Sequence, residues 1–128
     1  MKIYISGPVT GIEGYWEKFY EAEYQLRTLG WEVVNPVRTN ETLPSSFKHG
    51  EYMKVCEAAL APCDAILMLK GWQESVGAKM EFEWANENGI CVLYKPQPPS
   101  YVEGYMVGKS DANKPSKQLS LFDKLRNK

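Results

Sequence analysis

The sequence predicts an α/β domain built on a parallel sheet with helices on both faces. Two observations lead there. Short apolar runs at 3–5, 31–34, 64–69 and 90–94 alternate with stretches of helical spacing. The run Asp64-Ala65-Ile66-Leu67-Met68-Leu69 is apolar along its length after the aspartate, as a strand covered on both faces requires. The order βαβαβαβ implies parallel strands joined by right-handed crossovers.

Each element has its own signal. Ile3-Tyr4-Ile5 reads as a buried strand ending in the tight loop Ser6-Gly7-Pro8. Over 14–29, Tyr15, Phe19, Ala22, Leu26 and Leu29 recur on one helical face, and Gly30 stops the helix. Trp31-Glu32-Val33-Val34 is the second strand, closed by Asn35-Pro36. A loop with Pro44-Ser45-Ser46 leads to a helix over 49–61 with Tyr52, Val55, Cys56 and Ala59 inward. The third strand follows, then a helix over 76–88 with Ser75 as N-cap. Asn88-Gly89 ends it, and Ile90–Tyr94 is the fourth strand. This is a Rossmann-like pattern, in which ligands bind beyond the carboxyl ends of the strands. Those ends are Ser6–Gly11, Asn35–Pro36, Lys70–Gly77 and Tyr94–Lys95.

Composition narrows the function. The chain has 128 residues and a formal charge of −1. That excludes a globally basic nucleic-acid binder and implies no direct sequence-specific nucleic-acid recognition. The charge is unevenly placed: residues 1–95 carry −4 and residues 96–128 carry +3. Prolines at 96, 98, 99 and 115 mark the change. We therefore expect a folded domain over 1–95, a linker over 96–117 and a flexible tail peptide over 118–128. Within the linker, Tyr101–Val107 stays open, since Tyr101, Tyr105 and Met106 offer a way to pack back. No apolar run suits a membrane span. A strand that starts at Lys2 leaves no room for a signal peptide. Three cysteines (Cys56, Cys63, Cys91) and one histidine lack the spacing of a disulfide framework or a metal site. A reduced, cytoplasmic protein with no metal or cofactor is expected.

Two segments carry chemistry. Gly7 and Gly11 bracket the loop after the first strand, where glycines let backbone approach a ligand; a tight strand-to-helix turn has the same look. In Gly71–Glu81, residues Gly77, Glu81, Ala85 and Asn88 share one helical face. A glutamate on a small-residue face near the sheet is unusual. A partly desolvated carboxylate there is a candidate nucleophile, and a salt-bridged surface role is the alternative. His49 reads as a cap or surface residue. Trp16, Tyr20 and Tyr24 form a second stripe on the first helix, either peripheral core or a subunit interface.

The chain resembles the nucleoside 2-deoxyribosyltransferase superfamily, especially a branch found in phage and bacterial genomes. The resemblance rests on Ile3–Gly11, Tyr15, Phe19, Glu32–Pro36, Cys63–Ile66, Gly71-Trp72, Ser75, Gly77-Ala78, Glu81, Ala85 and Gly89. It implies N-glycosidic chemistry on a nucleoside or nucleotide. The residue matching Glu81 attacks C1′, the base leaves, and water or a second base resolves the glycosyl-enzyme. The residue matching Tyr4 orients that carboxylate or contacts the sugar. Gly7, Pro8, Thr10 and Gly11 would line the sugar or 5′-phosphate pocket, with Ser75 and Gly77 near a phosphate. Trp72 would stack on a base or cover the core, and Asp64 would act on the base side or hold loop amides. At Ser75 the well-studied transferases carry an aspartate that helps handle the leaving base. A serine is compatible with the branch that hydrolyses nucleoside monophosphates. The family also implies a homo-oligomer.

The tail reads Gln118-Leu119-Ser120-Leu121-Phe122. It matches the bacterial sliding-clamp-binding pattern, with Leu121 and Phe122 as anchors and the Gln118 amide as a hook. A short amphipathic helix packing on its own domain is the alternative. The tail opens a second functional class, a clamp-binding adaptor or inhibitor of DNA replication without catalysis.

Overall fold

The computed structural model describes residues 1–108. It is an α/β fold whose four strands, β1 (Lys2–Ser6), β2 (Glu32–Val34), β3 (Ala65–Met68) and β4 (Cys91–Leu93), are all parallel. Their order is β2-β1-β3-β4. Tyr4 pairs with Val34 on one side and Ile66 on the other, and Ser6 pairs with Met68. The chain therefore leaves β1 in opposite directions, which makes the ends of β1 and β3 the topological switch point of the sheet.

The helices are α1 (Tyr15–Thr28), α2 (Pro36–Glu41), α3 (His49–Leu60), α4 (Val76–Glu87) and α5 (Pro99–Gly108), with a 3-10 turn at Trp72–Glu74. Strand period two divides the core. Ile3, Ile5, Ala65, Leu67, Cys91 and Leu93 pack with Phe19, Ala22 and Leu26 of α1 and Val102 of α5. Tyr4, Ile66 and Met68 on the other face pack with Cys56 and Leu60 of α3 and Ala78, Trp84 and Ala85 of α4.

Three expectations change. The segment after β2 is helical: the Asn35 side chain accepts from the Val37 amide, and Pro36 starts α2. On α3 the buried face is Met53, Cys56, Glu57 and Leu60, with Tyr52, Val55 and Ala59 only half-buried. The segment read as linker contains α5, and its Val102 lies fully buried in the core. The Trp31 indole also donates to Gln97 O at 2.6 Å, tying the approach to α5 onto the domain. Of the second stripe on α1, Trp16 and Tyr24 are exposed and Tyr20 sits under the Arg38 guanidinium, 4.6 Å from its ring centre. Among the described residues, no helix is long and apolar enough to cross a membrane.

Candidate functional site

Glu81 lies one turn into α4, where Gly77, Ala78 and Ala85 keep the helix close to the sheet. Only 6% of it is exposed. Its two oxygens are held from β1: the Tyr4 hydroxyl donates to Oε2 at 2.5 Å and the Ser6 hydroxyl donates to Oε1 at 2.6 Å. Alternation along the strand puts both hydroxyls on one face. Burial pushes the Glu81 carboxyl up, the two hydroxyls pull it down, and the nearby Glu57 charge raises it again. The balance lies at about 7. A carboxyl that changes charge near neutrality is suited to nucleophilic or acid–base work.

The groups around it keep their protons. Burial and the Glu81 charge hold the Tyr4 hydroxyl well above its ordinary value, so it remains a donor. Burial lifts the Cys56 thiol to about 11, with hydrogen bonds from Tyr4 and Asn40 opposing. Cys56 is therefore a thiol at neutral pH, and Glu81 is the group there that ionises.

The loops beside the carboxylate are tightly built. A Cβ on Gly7 would stand 2.9 Å from Leu69 Cβ, so only glycine fits between the ends of β1 and β3. Gly71 has φ +88 and faces Pro8, where an added Cβ would meet Pro8 Cγ at 3.5 Å. The loops after β1 and β3 thus meet at the switch point. The Ser75 hydroxyl accepts from the Ala78 amide at 3.2 Å, capping α4 as expected. Gly77 packs near Met53 Sδ and the ring of His49, which is exposed at the start of α3.

The structure brings Tyr4, Glu81, Gly7, Pro8, Ser75 and Gly77 to one edge of the sheet, with Thr10 and Gly11 exposed in the loop after β1. Trp72 is half-buried and stacks on Phe82 at 4.5 Å, covering the core. Asp64 does not join them. It precedes β3 at the amino edge, where its Oδ2 accepts from the Lys2 amide at 2.9 Å. Gln118, Leu119, Leu121 and Phe122 lie outside the described residues. The sequence places Ser6 in the ligand edge and Cys56 on an inward face but joins neither to Glu81, and it does not point to Asn40. Ser6 had a usable signal, since it shares a strand face with Tyr4. Among the described residues, no group of three or more His, Cys, Asp or Glu is placed to hold a metal ion.

A second buried carboxylate serves the scaffold. Glu23 of α1 accepts from Arg38 Nε at 2.8 Å, Arg38 Nη2 at 3.0 Å, Asn35 Nδ2 at 3.1 Å and Arg27 Nε at 3.2 Å. The Arg38 bonds lead in holding it below the usual carboxylate range. It locks α2 onto α1.

Residues 1–94 match the family model described as a domain of unknown function (DUF4406). The match covers most of the chain, so the chain belongs to that family. No curated protein and no solved structure matches it.

Proposed function

We propose that this member of the DUF4406 family is a nucleoside or nucleotide N-glycosidase, or a 2-deoxyribosyltransferase, with Glu81 as nucleophile. The observation that carries the reading is a buried carboxylate at the strand switch point, gripped by Tyr4 and Ser6. In the proposed reaction a Glu81 oxygen bonds to C1′ as the C1′–N bond breaks. The base leaves with the bonding pair and takes a proton from solvent. Water then attacks C1′ as the C1′–oxygen bond to Glu81 breaks, giving a proton to solvent, restoring the carboxylate and releasing the sugar with a 1′-hydroxyl; a second base in place of water gives transfer. Tyr4 and Ser6 fix the carboxylate's angle and favour its ionised form. Thr10 and the Gly7–Gly11 loop belong to the substrate side of this reading, and a homo-oligomer completes it.

The test is release of free base from a panel of nucleosides, deoxynucleosides and their monophosphates, followed by chromatography. Turnover is expected, with loss in Glu81→Gln. No turnover across the panel sinks the reading.

A second reading rests on the tail motif Gln118–Phe122. In it the protein docks on the replicative sliding clamp, either bringing its chemistry there or acting as an inactive adaptor. Full-length protein should bind purified clamp, and Leu121→Ala with Phe122→Ala should abolish binding. Unchanged affinity in that double variant removes the clamp from the account.

A further inference from the structure

A cleft of about 260 Å³ lies at the carboxyl end of β4, lined by Val92, Leu93, Tyr94, Lys95, Gln97 and Tyr101. It contains none of the residues around Glu81. We propose that this cleft is a second binding site, for a nucleobase that carries an adjacent phosphate.

Three observations support it. The first is aromatic surface: Tyr94 is 60% exposed and Tyr101 is 53% exposed, and both line the same small cleft. Tyrosine rings at a ligand edge offer flat apolar faces on which any base stacks. The second is charge. Lys95 is the one charged residue among the six that line the cleft, so the site favours an anion, and an ammonium suits a phosphate as a point charge. Gln97 adds an amide, able both to donate and to accept at a base edge. The third is rigidity. Pro96, Pro98 and Pro99 restrict the backbone, the Trp31 indole holds Gln97 O, and the Tyr101 amide donates to Pro98 O at 3.0 Å. A cleft held in this way loses little freedom on binding. Its volume suits one base and its sugar rather than a drug-sized molecule.

A row of aromatic rings runs from the cleft to the Glu81 helix. Tyr94 stacks on Trp72 at 6.4 Å, and Trp72 stacks on Phe82, the residue after Glu81. A base on Tyr94 therefore borders an aromatic row that ends on α4.

The experiment uses full-length Glu81→Gln protein, so that no probe is consumed. AMP, adenosine and a single-stranded tetranucleotide are titrated while backbone amide resonances are followed. Shifts at Tyr94, Lys95, Gln97 and Tyr101 are expected. Tyr94→Ala with Tyr101→Ala should weaken AMP binding at these positions at least tenfold. Lys95→Gln should weaken AMP severalfold and leave adenosine unchanged. A tetranucleotide that binds tighter than AMP assigns the base to a strand; equal affinity assigns it to a free nucleotide. Shifts confined to the Gly7–Gly11 and Trp72–Gly77 loops, or unchanged affinity in the double tyrosine variant, overturn the proposal. The titration reads binding without turnover, so it fails or succeeds independently of the Glu81 chemistry.

Discussion

Replacing Glu81 by glutamine should stabilise the protein at pH 8 and not at pH 5. The carboxyl sits at about 7 against an ordinary 4.5. Below 4.5 the folded and unfolded chains both carry the proton. Between 4.5 and about 7 the unfolded chain has released it while the folded chain holds it, so stability falls as pH rises. Above about 7 both are ionised and the loss is complete. At about 1.4 kcal/mol per pH unit, the ionised carboxylate costs the fold about 3 kcal/mol. Glutamine removes that cost. It offers one acceptor oxygen where Tyr4 and Ser6 used two, so the serine hydroxyl must turn and accept from the new amide, at a cost of about 1 kcal/mol. The net gain at pH 8 is about 2 kcal/mol, or a melting temperature about 8 °C higher. At pH 5 the variant should melt level with the parent or slightly below it. Glu57 is also raised by burial and repels the Glu81 charge, so removing that charge relieves Glu57 as well and acts in the same direction at pH 8. Circular-dichroism melts of the two proteins at the two pH values decide the matter. The same temperature difference at both would refute the placement of the Glu81 charge.

Four further outcomes follow from the geometry. Tyr4→Phe removes a donor that favours the ionised carboxylate, so the rising limb of a pH–rate profile should move alkaline by about one unit; an unmoved limb contradicts Tyr4's role. Gly7→Ala forces a methyl group against Leu69 Cβ at 2.9 Å and should cost about 1–3 kcal/mol in urea unfolding. Val102→Ala should cost about 2 kcal/mol because the side chain is fully buried, whereas Tyr101→Ala should stay within about 0.5 kcal/mol; equal losses would mean α5 is not docked as described. Glu23→Gln should cost about 1 kcal/mol at pH 7, kept small by arginine partners that are 53% and 56% exposed. Because Glu23 is held below 4.5, this contribution is present above 4.5 and fades as pH falls, opposite in sign to Glu81, and melts from pH 3 to 7 should show the deficit closing.

The four strands and three long helices were legible because their apolar periods are unambiguous and glycine or proline marks their ends. Glu81 was legible for a related reason: a charge among Gly77, Ala85 and Asn88 breaks the pattern of its face. Short elements escaped. Six residues of α2 are too few for a period to show, and Asn35-Pro36 was read as closing a strand when it also caps a helix. Pro98 and Pro99 likewise read as a stop, although proline at a first helical turn begins one, as it does at α5. The burial of Glu23 had only a partial local signal: it falls on the Phe19–Ala22–Leu26 face of α1 and has Arg27 four residues on. Its partner Arg38 lies 15 residues away on a helix that periodicity did not reveal. Asp64 shows the converse: the resemblance allowed chemistry on the base side, but its place at the start of β3 also allowed it to hold a backbone amide, and it accepts from the Lys2 amide at the edge opposite Glu81.

Topology explains why the costly charge sits where it does. A parallel sheet with the order β2-β1-β3-β4 leaves the ends of β1 and β3 uncovered by any connection. There a glycine loop is packed too tightly for a Cβ, and strand alternation delivers two hydroxyls side by side. Glu81 of α4 is bonded by both. The other carboxylates buried to this depth are Glu23, which has two arginines, and Glu57, which has the Lys54 charge nearby. Glu81 has hydroxyls and no cation among its hydrogen-bond partners, so its charge is stabilised enough to exist near neutrality and not enough to be harmless. An arginine beside it would pull the carboxyl down and hold it ionised in a pair across the whole neutral range. The stability lost between pH 4.5 and about 7 is therefore the measure of how far Glu81 is kept unpaired.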